Sequence, residues 1–271
     1  MSRKMVALWI AVGIPIGCVL AGCETDKQAT TEKPVMTSSL AEGTGQDPAQ
    51  KALSDGPLHR ILADLSAKAT PQQSSQIATA IAASPQLALQ MNDLAKSGAF
   101  DAIVVTPARK GNIFNAYVDK TKIAITPDIL QQIAQAQPFD VRSADSIPPN
   151  NLTFVIGHAV YHMKNAAPAV KMFNNPMAYS EAMVSYEAGS NLEGWNYVID
   201  AAVSQNAGKP LTVPQQGYLL MSLRYRGIFF QAGKQTPQKL EYAPSGRLEL
   251  TPNNLSAMAK TLKTTSVLDI E

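Results

Sequence analysis

Apolar positions fall at helical spacing over most of the chain and into strand-like runs in one short region. Leu58, Ile61, Leu62 and Leu65 recur at three- and four-residue intervals, as do Leu87, Met91, Leu94 and Ala95, so each set lines one face of a helix. Pro71 and Pro85 stand where helices begin, because a first helical turn has no partner for the amide hydrogen that proline lacks. Ala102 to Thr106 is short and apolar, and the runs Ile113 to Val118 and Lys122 to Thr126 flank a polar Asp119-Lys120-Thr121 turn. This pattern predicts two or three strands with a hairpin. Pro127 and Asp128 open another helix, and Pro148, Pro149, Asn150 and Asn151 prepare the next. After a break at Pro168, Asn175 as N-cap and Pro176 as first helical residue start a long helix running to about Ser204. Beyond Gly208 the chain is apolar and aromatic around Tyr218 to Phe230. A turn at Pro244-Ser245-Gly246 and a last helix from Pro252 to about Leu262 complete it. The predicted fold class is α+β, helix-rich, with a small β-hairpin or sheet ahead of the helices that span about residues 151–203.

The first residues read differently. Arg3 and Lys4 are a short positive segment, Met5 to Leu20 is almost wholly apolar, and Leu20-Ala21-Gly22-Cys23 follows at once. These last four residues resemble a bacterial lipobox, which implies removal of a signal at 1–22 and acylation of Cys23. The alternative is an uncleaved anchor, for which the apolar run is marginal against a bilayer core of roughly 30 Å. Glu24 stands where an aspartate would resemble an inner-membrane retention signal, which leans weakly towards the outer membrane. The expected location is the periplasmic side of a bacterial cell envelope, held by lipid on Cys23. The polar, aperiodic stretch that completes 23–51 reads as a flexible tether with a reach of roughly 30 Å, leaving 52–271 as one globular domain.

Charge and cysteine count narrow the partners. Loss of Arg3 and Lys4 takes the basic count from 23 to 21, against 21 acidic residues, so the processed chain is formally neutral. It lacks the basic footprint of a nucleic-acid-binding protein. The two cysteines are Cys18, which leaves with the signal, and Cys23, so the domain carries no disulfide in an oxidising compartment. Nothing in the sequence fixes an oligomeric state.

The chemistry concentrates in Gly157-His158-Ala159-Val160-Tyr161-His162. Two histidines four apart stand one helical turn from each other and can grip one metal ion. The motif resembles the H-E-x-x-H helix of zinc peptidases, in which the glutamate is the general base, but Ala159 occupies that position. Glu187-Ala188-Gly189-Ser190-Asn191 in turn resembles the E-x-x-x-D/N segment of the gluzincin branch of zincin metallopeptidases. The resemblance covers mainly residues 151–203. It implies a zincin-like fold, Zn²⁺ as cofactor, His158, His162 and Glu187 as ligands, and Asn191 as an outer residue orienting a ligand histidine. It also implies an edge strand ahead of the histidine helix, placed at Lys122 to Thr126. Without the glutamate, no catalytic residue is assigned. Tyr161 and Tyr186 are poor bases at neutral pH, and Tyr197, Tyr218, Tyr225, Arg224 and Arg226 are unplaced candidates for stabilising an oxyanion. His59 reads as an exposed helix residue, and Trp195, Tyr197, Val184 and Met183 as core.

Three functions follow as expectations. The first is a lipid-anchored, zinc-binding, peptidase-inactive domain that binds a protein or peptide partner in an immunity, inhibitor or accessory role. The second is an active zinc metallopeptidase in which the native residue 159 is glutamate or another base serves. The third is a metal-free structural lipoprotein.

Overall fold

The computed structural model describes residues 47–107, 116–134, 152–171, 174–206, 208–209, 211 and 240–264. The signal-like segment, Cys23, Glu24, Pro148 to Asn151 and the aromatic run at 218–230, with Arg224, Tyr225 and Arg226, lie outside these residues.

Proline sets the register of the helices. Among the described residues, helices α1 (Pro48–Ser54), α2 (Pro57–Lys68), α3 (Pro71–Ala83), α4 (Pro85–Lys96), α5 (Pro127–Ala134), α7 (Pro176–Gln205) and α8 (Pro252–Thr264) all begin on it, and only α6 (Leu152–Lys164) does not. Side-chain caps complete several of these starts. Asn175 accepts from the Ala178 amide at 3.0 Å, as its place before Pro176 predicts, and Thr70 and Gln73 form a reciprocal capping box. The folded region starts earlier than the expected boundary at residue 52. Asp47 caps α1, which buries Ala49 and Ala52, so the last residues assigned to the tether belong to the domain. Alanines bury too little side chain to register as an apolar stripe, which is why the pattern hid this helix.

Three strands form one sheet in the order β1-β3-β2, where β1 is Ala102–Val105, β2 is Ala116–Asp119 and β3 is Lys122–Ile125. The predicted hairpin is β2–β3, pairing Tyr117 with Ala124 and Val118 with Ile123, and β1 joins β3 in parallel with Ile103 opposite Ile123. The expectation that Lys122 to Thr126 forms an edge strand is therefore overturned. Ile123, Ala124 and Ile125 are all buried, so β3 has cover on both faces and strands on both sides, and the strand packed towards α6 is β2. At the hairpin turn Lys120 adopts φ +59°, a conformation that costs a side-chain-bearing residue about 1 kcal/mol.

Two apolar clusters build the core. The first joins Leu58, Leu65, Ile77, Ile81, Leu87 and Met91 of α2–α4 to Ile123 and Ile125 of the sheet, Ile156 and Val160 of α6, and Tyr197 of α7. The second joins Leu192, Trp195 and Ile199 of α7 to Leu248 and to Met258 and Leu262 of α8. Trp195, Tyr197 and Val184 are buried as expected, Met183 is half-buried, and His59 lies exposed on α2, bonded to the Leu53 carbonyl. Helix α7 serves both clusters, and polar ties fix it. Asp200 accepts from the Ser84 hydroxyl at 2.6 Å and the Gln86 amide at 2.9 Å, which caps α4 from a distant helix. Asn196 makes two bonds to the Leu248 backbone, docking the 240–250 hairpin in which Tyr242 bridges Leu248. Asn254 of α8 holds the same hairpin through Glu241 and Glu249. Among the described residues no helix is long and apolar enough to cross a membrane.

Replacing Lys120 by glycine removes the left-handed strain at the hairpin turn. The expected gain is about 0.5–1 kcal/mol, read as a higher urea midpoint at unchanged slope.

Candidate metal centre

Helices α6 and α7 meet at glycines. A Cβ on Gly157 would collide with the Tyr197 ring, and one on Gly189 would collide with the Tyr161 phenol. A Cβ on Gly194 would stand 2.8 Å from the Phe154 carbonyl and 3.2 Å from the His158 amide nitrogen. The two backbones thus approach more closely than side-chain-bearing residues permit, and this brings His158 and His162 of α6 against Glu187 of α7.

All three predicted ligands converge. His158 Nε2 lies 3.3 Å from Glu187 Oε2, His162 Nε2 lies 3.6 Å from Glu187 Oε1, and the two Nε2 atoms are 2.9 Å apart. A tetrahedral ion with ligands at about 2.0–2.1 Å has ligand-to-ligand edges of about 3.3 Å, so the observed spacings suit a first-row divalent ion. His158, His162 and Glu187 form a cluster that can bind a metal ion. Their side chains keep only 14–18 % exposure, enough for an ion to enter while most water is excluded.

The protonation states suit the same role. Burial pushes the His158 imidazole below its usual range, outweighing the hydrogen bond to Glu187, and so favours the neutral ring. Burial opposes ionisation of Glu187, but hydrogen bonds from His158 and His162 and their charge overcome it and hold the carboxyl well below the usual carboxylate range. A neutral imidazole and a carboxylate are the ligand forms that metals take.

The surrounding side chains separate the expectations further. Asn191 is buried and donates to the Glu187 carbonyl at 2.7 Å, bracing the helix turn that carries the ligand. Ser190, which the sequence reading passed over, lies 3.2 Å from Glu187 Oε2 and 2.8 Å from the Glu187 carbonyl, so its hydroxyl steadies the carboxylate directly. Its signal was present: a hydroxyl three residues after a helical glutamate reaches back to it. Tyr161 and Tyr186 flank His162, with ring centroids 6.0 and 4.8 Å away, and Tyr186 donates its phenol hydrogen to the Asn165 carbonyl. Burial raises both phenols above their usual range, helped at Tyr161 by Glu193 and Glu187 and at Tyr186 by Glu187. Neither is a base at neutral pH. Ala159 is fully buried in the first apolar cluster with Ile156 and Val160. Tyr197 lies in the core beneath Gly157 and faces no ligand atom of the cluster, and Glu181 is exposed.

No protein-family model, curated protein or solved structure matches the chain.

The glycine seam has a sign that can be checked. In a free helix Gly→Ala gains about 1 kcal/mol of propensity. At Gly157 the collision with Tyr197 costs about 1–3 kcal/mol or more, so Gly157→Ala is expected to lower the melting temperature by several degrees. Calorimetry beside a substitution at exposed Gly98, which has open space around it but a φ of +75°, separates crowding from backbone strain.

Proposed function

We propose that this protein is a lipid-anchored, zincin-like domain that binds zinc through His158, His162 and Glu187 and is inactive as a peptidase. It acts by binding a protein or peptide partner in the bacterial cell envelope, on the periplasmic side. The observation that carries the reading is the convergence of two imidazoles and one carboxylate from adjacent helices, with a buried alanine at the position where hydrolysis needs a base.

The chain's own residues explain both halves. His158 and His162 sit one turn apart on α6, so a single helix presents two donors in fixed register, and Glu187 closes the set from α7. Ser190 and Asn191 hold the carboxylate and its backbone, which keeps the third donor aimed when the partners compete with water. Zinc bound there would supply a Lewis-acid centre for an oxygen of a bound ligand. Peptide hydrolysis also requires a group that takes a proton from the attacking water and passes it to the leaving amine. Ala159 has no such group, Tyr161 and Tyr186 are held protonated, and Glu193 is paired with Arg247. Loss of a general base costs on the order of 10²–10⁴-fold in rate, which leaves binding as the function the site can perform. Acylated Cys23 and the tether after it would place this site within a few nanometres of the membrane.

Metal content decides the first half. Mass spectrometry of the domain produced without Cys23 and the preceding residues is expected to find one equivalent of zinc, absent from the His158→Ala variant. A wild-type domain that stays metal-free after zinc loading would remove the centre and leave the metal-free lipoprotein.

Restoring the missing carboxylate tests the second half. Ala159 lies among apolar side chains, so Ala159→Glu is expected to cost about 2–4 kcal/mol of stability and to yield no zinc-dependent proteolysis. Appearance of chelator-sensitive cleavage of an unfolded protein substrate would instead establish a catalytic scaffold.

A further inference from the structure

Glu193 and Arg247 have no part in the cluster of His158, His162 and Glu187, yet both are held against the wall that positions it. Arg247 comes from the 240–250 hairpin, and its guanidinium carbon lies 5.8 Å from the centre of the Tyr197 ring. That ring occupies the space where Gly157 would carry a Cβ, one residue before His158. Arg247 Nη2 lies 3.5 Å from Glu193 Oε2, which is also 3.5 Å from Asn196 Nδ2, and Asn196 fixes the hairpin backbone at Leu248. Gly194, beside Glu193, abuts the His158 amide and the Phe154 carbonyl. The backbone of His158 is therefore pressed from α7 at two points, Gly194 and Tyr197. Arg247 bears on both, through the ring of one and the neighbouring carboxylate of the other.

We infer that Arg247 is a positioning residue for the metal centre: the hairpin, through the Arg247–Tyr197–Gly157 stack and the Arg247–Glu193 pair, sets the place of His158. The inference rests on the zinc-binding reading above. A small displacement of one donor matters because ligand set and angle, not donor count alone, fix both affinity and coordination geometry. Tyr197 meets Gly157 through its ring, so the ring transmits the constraint.

Cobalt(II) titration of the full folded domain reads the effect, because its visible absorption reports coordination geometry as well as occupancy. Wild type is expected to bind one cobalt with intense, tetrahedral-type bands. Arg247→Ala is expected to weaken cobalt affinity about tenfold and to change the band shape. Arg247→Lys, which keeps a cation over the ring, should recover most of the loss, and Tyr197→Phe should bind as wild type does. Arg247→Ala strands the Glu193 charge, so the paired change Glu193→Gln with Arg247→Met supplies a version without it. Here too weaker binding and altered bands are expected, at an apo melting temperature close to wild type. Wild-type affinity and spectrum in the paired variant would overturn the positioning role while leaving the centre intact. Failure of the wild-type domain to bind cobalt would instead overturn the centre itself.

Discussion

Helices α6 and α7 carry a shared site because they pack closely across glycines: backbone meets backbone at Gly157 and Gly194, and the Tyr161 ring lies against Gly189. Helix pairs usually stand 8–10 Å apart, with side chains filling the space between them. The missing Cβ atoms at Gly157 and Gly189 leave room for the Tyr197 and Tyr161 rings in the seam, and Glu187 of α7 thereby meets the His158–His162 pair that α6 itself sets one turn apart. The same contact bridges the two apolar clusters, since α6 belongs to the first and α7 to both. Site and core thus share one constraint.

That constraint was the least visible part of the sequence. Helix starts were easy to read because proline and its preceding cap are local signals, and Pro71, Pro85, Pro127, Pro176 and Pro252 all mark true first residues. The hairpin was legible for the same reason. The His158–His162 pair could be named from spacing, because a four-residue interval means one helical turn wherever it occurs, whereas Glu187 came only with the resemblance of its segment. What could not be read were relations between distant segments. Nothing local says that β1 will pair with the far side of β3 and move Lys122–Ile125 from edge to centre. Nothing near Ser84 announces Asp200, and nothing near Tyr197 announces Arg247. Glycines in helices read as weak points by propensity, whereas here they are required by what lies opposite.

The acidic residues of α7 show how one helix separates chemistries. Glu187 and Glu193 lie six residues apart on α7, on different faces, and the side chains of both are largely buried. Histidines meet the first, which stays ionised with its lone pairs turned to a common point. Arginine and asparagine meet the second, which ties down a hairpin. A carboxylate that neutralises a guanidinium is spent on structure, and a carboxylate between imidazoles is open to a cation. The partner, not the glutamate, determines the role.

The cap that Asp200 places on α4 has a consequence for how the chain comes to be folded. Ser84 and Asp200 are 116 residues apart, and Asn196 must wait a further 52 residues for Leu248. A polypeptide emerging from its N-terminus would present α2, α3 and α4 long before the residues that lock them exist. Those first helices would remain loosely assembled until α7 arrives, and α7 would remain half-covered until the final hairpin arrives. Such an order ties final closure of the fold to the arrival of its last hairpin, long after the first helices are made.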